Sequence, residues 1–184
     1  LKTIVTTETI KTIAERNGVE MYDVYTGFKW IANVMRENEG KKNYIGGGEE
    51  SYGFLCEDFV RDKDAVSACV ILAEIAAWAK DQGLSLYQLL QKIYVEYGFS
   101  KEKGISVVKK GKSGAEEIEA MMKKFRENPL TEIAGSKVTY FYDYSTLKGK
   151  DYAENETVTL DMPTTSNVLQ YFTEDNTKVS IRPS

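Results

Sequence analysis

The hydrophobic pattern of this chain changes its period once, and that change calls for two architectures in one sequence. Up to Gly98, short β-branched or apolar runs alternate with segments whose apolar residues recur at helical spacing. Thr3–Thr6 and Glu20–Tyr25 read as strands, and Asn43–Gly47 as a third. Between them, Glu8–Asn17 places Ile10, Ile13 and Ala14 on one helical face, and Gly27–Asn38 does the same with Phe28, Ile31, Val34 and Met35. Asp64–Asp81 is a long helix, apolar on nearly every side, and is expected to be buried on more than one face. Ser85-Leu86-Tyr87-Gln88 fits a capping box opening the next helix. Alternation of this kind predicts an α/β domain over residues 1–98, a mostly parallel sheet covered by helices.

Residues 99–112 are rich in Lys, Gly and Ser and read as a linker. Beyond them, Ser113-Gly114-Ala115-Glu116 is a second capping-box candidate, opening a helix with Ile118, Met121, Met122 and Phe125 inward. Then the period becomes two: Val138, Tyr140 and Tyr142 alternate with Lys137, Thr139 and Phe141. Thr157–Leu160, Val168–Phe172 and Lys178–Ile181 are further strand candidates. Residues 113–184 are thus expected to form a small α+β domain with an antiparallel sheet.

Composition excludes several functions. Net charge is −4 with both signs well mixed, so no broad basic surface faces a nucleic-acid backbone. There are 0 histidines, which removes Ser-His-Asp and Cys-His mechanisms and the commonest metal ligand. Cys56 and Cys69 are flanked by apolar residues and read as buried, reduced thiols. The apolar run 65–79 is interrupted by Ser67 and Glu74, too short and polar for a membrane span, so a soluble cytoplasmic protein is expected. The chain opens and closes in strand-like runs, as a cut-out fragment would.

The turn Gly48-Glu49-Glu50-Ser51-Tyr52-Gly53 is the strongest candidate for chemistry. Adjacent carboxylates among glycines suit the vicinal hydroxyls of a sugar, since each ionised carboxylate offers two acceptor oxygens. Standing alone, such a turn is more often a solvated acidic loop. Lys29 alone is a surface charge, and Arg61-Asp62-Lys63-Asp64 alone a charged helix start whose Asp62 or Asp64 acts as cap. Two carboxylates beside two cations do not make a metal loop. Tyr140, Tyr142, Tyr144 and Tyr152 suggest base stacking, but with few basic residues near them sheet packing is the better account.

In context these segments resemble the α-D-phosphohexomutase superfamily. Gly47-Gly48-Glu49-Glu50-Ser51-Tyr52-Gly53, followed by Arg61-Asp62-Lys63-Asp64 and an Ala-rich helix, resembles its third domain. Thr26-Gly27-Phe28-Lys29 resembles its Thr-Gly-aromatic-Lys segment. Leu84–Gly98 looks like the branch holding bacterial phosphoglucomutase/phosphomannomutase enzymes and phosphopentomutases. Val179-Ser180-Ile181-Arg182-Pro183-Ser184 resembles the start of the fourth domain's Arg-Pro-Ser-Gly-Thr-Glu-Pro phosphate loop.

The resemblance implies roles. Glu49 and Ser51 would hydrogen-bond sugar hydroxyls next to the reacting positions, with Glu50 a further candidate in the same motif. Lys29 would reach into that cleft, and Arg61 and Lys63 could add positive potential there. Arg182 and Ser184 would grip the phosphate that is not transferred, a guanidinium fork matching phosphate oxygens bidentately. The family's phosphoserine segment, Ser-His-Asn-Pro, and its Asp-Gly-Asp magnesium loop are both missing. The resemblance therefore implies no catalytic residue in this fragment, Mg²⁺ bound outside it, and an isomerase only as the intact protein. The partners implied are a sugar phosphate and the N-terminal domains of the parent chain, with neither nucleic acid nor membrane. A non-catalytic sugar-phosphate or partner-binding module is the alternative, and glucose, mannose and pentose phosphates stay open as substrates.

Overall fold

The sheet of the first unit, Leu1–Gly104, grows outward from a two-residue strand. In the computed structural model, which describes residues 1–183, β1 (Lys2–Thr3) lies between β2 (Asp23–Val24) and β3 (Gly46–Gly48), parallel to both. β4 (Phe54–Cys56) closes the far edge antiparallel to β3, giving the order β2-β1-β3-β4. The sheet is therefore mostly parallel and flanked by helices, the expected class. β4 is the strand that the pattern did not reveal: three residues carry no readable period, and its partner is a run of glycines.

Helix α1 (Thr9–Arg16) follows β1, and α2 (Phe28–Glu37) follows β2. The apolar stripe of α2 makes the core. Phe28, Ile31 and Met35 are buried against Val24 and Leu55, and each such side chain removed from water contributes about 1.5–3 kcal/mol. β3 can be all glycine because a side chain at Gly47 would strike the Tyr44 hydroxyl, Leu1 and Ile31. Tyr44 Oη donates to the Leu55 carbonyl at 3.1 Å, and burial pushes its phenol well above the usual range, with Cys56 a lesser cause. Lys2 has no exposed surface; its ammonium lies 2.6 Å from Asp23 and 3.1 Å from Glu8, which compensates its desolvation.

Two helices complete the unit, α3 (Ala65–Asp81) and α4 (Leu86–Tyr97). Asp64 caps α3 by accepting the Ser67 N–H at 2.8 Å. The Ser85 capping box forms: Gln88 N–H donates to Ser85 Oγ at 3.2 Å and Ser85 N–H to Gln88 Oε1 at 2.8 Å. One expectation fails. α3 packs on β4 and α4 along a single stripe, only Ala79 is buried, and Val66, Val70, Leu72 and Trp78 stay more than half exposed. No element within the unit covers that outer side. Cys56 and Cys69 are free thiols, but Cys69 lies on this exposed surface and Cys56 is only half-buried. Among the described residues no helix is long and apolar enough to cross a membrane.

Among the described residues, the second unit, Ile105–Ser184, carries one helix and an antiparallel sheet. Helix α5 (Gly111–Glu127) starts ahead of Ser113, so the expected capping box there does not form; Lys110 is the cap residue. The cause is Gly114, whose missing side chain lets the Lys109 backbone lie directly on the first turn, with Lys109 Nζ 2.7 Å from Glu117. β5 (Glu132–Ile133) and β6 (Ser136–Asp143) form a hairpin. β7 (Lys148–Asp151), β8 (Glu156–Thr159), β9 (Leu169–Thr173) and β10 (Lys178–Ile181) complete the order β10-β9-β6-β7-β8. One sheet face packs Val138, Leu169 and Tyr171 on Met122 of α5. On the other, the Tyr142 ring lies over Gly149 and tilts against Phe172 at 5.0 Å, so the tyrosines do pack on the sheet.

Candidate functional site

β3 delivers the chain into the turn 49–53, and the turn sorts its two carboxylates. Glu49 N–H donates to the Gly53 carbonyl at 2.7 Å, closing the loop. The Glu49 side chain then turns inward, half-buried, and Oε1 accepts the backbone N–H of Gly27 at 2.7 Å. Gly27 is the residue that admits this approach: its φ of 117° is a region that disfavours any side chain. Gly53 is buried flush against the Glu49 carboxylate, and a methyl there would collide with it.

The neighbouring acid behaves differently. Glu50 is exposed, although Thr3 Oγ1 donates to its Oε2 at 3.0 Å, and Thr3 is in turn 2.8 Å from the Thr6 hydroxyl. Ser51 is exposed, and Tyr52 is fully exposed with a left-handed backbone.

Lys29 opens α2 two residues beyond Gly27; it is exposed, with Nζ 5.2 Å from the Trp30 ring centroid. Lys63 comes to the same helix end, its Nζ 5.9 Å from the centre of Phe28 and 3.5 Å from Asp62. Arg61 does not. Its guanidinium pairs with Glu39 at 2.8 Å, just past the other end of α2, which at 1.5 Å per residue lies about 15 Å away along the axis. Glu49, Gly27, Lys29 and Lys63 therefore gather at one end of α2, and Arg61 sits at the other.

Sequence reasoning gave Thr26 no role of its own. Its hydroxyl oxygen is buried and makes no hydrogen bond, the sole such side-chain atom among the described residues. A buried hydroxyl without a protein partner is where a ligand or an ordered water completes the set. Nothing in the periodicity marks this; the signal lies in its place beside Gly27. The segment 61–64 fits no magnesium: Asp64 is spent as a helix cap and Asp62 sits with Lys63.

In the second unit, Arg182 is exposed directly after β10, and Ser184, its expected companion, lies outside the described residues. Arg126 is committed internally. Its Nε donates to Asp143 at 3.1 Å and its terminal nitrogen to Asn167.

The family model for phosphoglucomutase/phosphomannomutase, alpha/beta/alpha domain III, matches residues 1–97. A phosphoglucomutase of Staphylococcus aureus is 38% identical over 184 residues, covering 100% of this chain and 33% of the relative. One from Staphylococcus haemolyticus is 35% identical with the same coverage. The chain thus spans about a third of the length of the curated relatives it matches. Among solved structures, the open form of the exocytosis-sensitive phosphoprotein parafusin, a phosphoglucomutase from Paramecium, superimposes with a TM-score of 0.57. That match covers 98% of this chain and 29% of parafusin at 18% identity, so it speaks for the fold.

Proposed function

The chain belongs to the phosphoglucomutase/phosphomannomutase family, and from that premise we propose that it supplies the sugar- and phosphate-recognition part of a mutase. Glu49 is the observation that carries the reading. Its carboxylate is half-buried and anchored through one oxygen to Gly27, leaving its remaining acceptor capacity for a pair of sugar hydroxyls. The orphaned Thr26 hydroxyl beside it and the ammonium groups of Lys29 and Lys63 at the same helix end support an anionic, hydroxylated ligand. Glu50 and Ser51 form the outer rim of this site. Arg182, with Ser184 beyond the described residues, holds the phosphate that stays in place.

In the full-length protein a phosphoserine outside this chain would donate its phosphoryl group to a sugar monophosphate. The bisphosphate would turn over, and the other phosphate would return to serine. Magnesium, held by another part of the protein, would supply charge neutralisation of the transferring group. Residues of this chain bind and orient the sugar and take no part in bond breaking. Cytoplasmic residence goes with the same reading.

The test is a turnover panel on the full-length protein, with glucose 1-phosphate, mannose 1-phosphate and ribose 1-phosphate as substrates. Conversion of at least one to its isomeric phosphate is expected. A full-length protein that binds these compounds and converts none would be a recognition module, and the mutase reading would fall.

A further inference from the structure

We propose that Gln170 is a positioning residue for Arg182, acting through Ser180; the inference rests on the phosphate-holding role of Arg182 proposed above. Gln170 sits in the middle of β9 and is 2% exposed, an uncommon place for a primary amide. Its Oε1 accepts the Tyr144 hydroxyl at 2.7 Å, and its Nε2 donates to Ser180 Oγ at 2.9 Å. Tyr144 is itself pinned: its N–H donates to the Val168 carbonyl at 3.0 Å and its carbonyl accepts the Ser166 N–H at 3.0 Å. Three segments, the end of β6, β9 and β10, are thereby joined through one amide.

β10 needs such a device. Among the described residues it is an edge strand of four residues paired with β9, and it runs directly into Arg182. A slip by one residue is already opposed, because it would lift Val179 and Ile181 off the apolar cluster they pack on. A slip by two keeps those residues on the core side, and backbone hydrogen bonds are indifferent to it. It would carry Arg182 about 6–7 Å along the strand.

What separates the registers is the side chain opposite Gln170. In the observed pairing it is Ser180; after a two-residue slip it would be Lys178 or Arg182. Because Tyr144 occupies the amide oxygen, Gln170 presents its NH₂ group to β10. A serine hydroxyl accepts from that group, whereas ammonium and guanidinium groups are donors only. The amide therefore selects the single register that places Arg182 as observed. Leucine would fill the same space without distinguishing the three.

The experiment compares Gln170→Leu, Ser180→Ala, Ser180→Thr and Arg182→Ala in the full-length protein, reading KM and kcat for the sugar monophosphate. A lost, partly buried hydrogen bond corresponds to about a tenfold change in affinity. Ser180→Ala and Gln170→Leu are expected to raise KM about tenfold with kcat nearly unchanged, and Ser180→Thr, which keeps the hydroxyl, to restore KM. Arg182→Ala serves as reference and is expected to raise KM at least as much. If Arg182→Ala raises KM while Ser180→Ala and Gln170→Leu lower only the melting temperature, the positioning role is wrong and the phosphate-holding reading stands. If Arg182→Ala leaves KM unchanged, the phosphate-holding reading fails and takes the inference with it. Should Gln170→Leu not fold, the Ser180 pair decides alone, since alanine and threonine there differ by the hydroxyl in question.

Discussion

Glu49 Oε1 and the backbone nitrogen of Gly27 lie 2.7 Å apart, joining residues 22 positions distant in the chain. That bond fixes which of two adjacent acids faces inward. It also ties the acidic turn to the start of α2, where Lys29 and Lys63 stand.

The bond depends on Gly53. A β-carbon there would overlap the Glu49 side chain, the flexible partner, so Gly53→Ala is expected to push Glu49 off Gly27. The cost in stability should be about 1–3 kcal/mol, because the site is buried and the Gly27 N–H loses its acceptor. In an NMR spectrum the Gly27 amide proton should move upfield as its acceptor leaves. An unchanged Gly27 resonance in Gly53→Ala would show that the turn accommodates the methyl elsewhere.

The capping box of α4 gives a local stability test. Ser85→Ala removes the acceptor for Gln88 N–H and should cost about 1 kcal/mol, with Ser85→Asp largely neutral. Hydrogen exchange read at the first turn of α4 should accelerate correspondingly. No acceleration would mean that tertiary packing rather than the cap holds this end.

Asp64 predicts a pH dependence. The backbone N–H of Ser67, and next its hydroxyl, hold the Asp64 carboxyl below the usual aspartate range. A depressed folded-state value contributes stability above the ordinary aspartate pKa, and that contribution is lost as pH falls through the folded value. The start of α3 should therefore fray on acidification. Asp64→Asn should keep the cap and flatten this acid dependence. A carbon-detected NMR titration checks it: Asp64 should titrate below the ordinary aspartate value, and an ordinary value would contradict the cap's electrostatic role.

Helices with one apolar stripe were legible: α2 and α4 lie within a residue or so of where periodicity puts them, and β10 coincides with its sequence run. β7 was not, because Lys148-Gly149-Lys150-Asp151 has no strand propensity; its ladders to β6 and β8 and the Tyr142 ring over Gly149 hold it extended. The start of α5 was misread because Ser113-Gly114-Ala115-Glu116 satisfies a local rule, while Gly114 answers to a tertiary contact with Lys109. At the site, composition identified the acidic turn but could not tell Glu49 from Glu50. That distinction lies in the pairing of β3 with β4 and in the unusual backbone of Gly27. The orphaned Thr26 hydroxyl was invisible for the same reason, since burial of a single atom is a property of the fold.

The most direct measurement is kcat/KM of the full-length protein carrying Glu49→Gln. Glutamine keeps an oxygen to accept the Gly27 N–H, so the melting temperature should stay within about 2 °C of the parent. The loss of carboxylate charge and of one acceptor oxygen facing the sugar should lower kcat/KM about 10²-fold or more. Near-normal turnover with normal stability would contradict the claim that this carboxylate grasps the sugar.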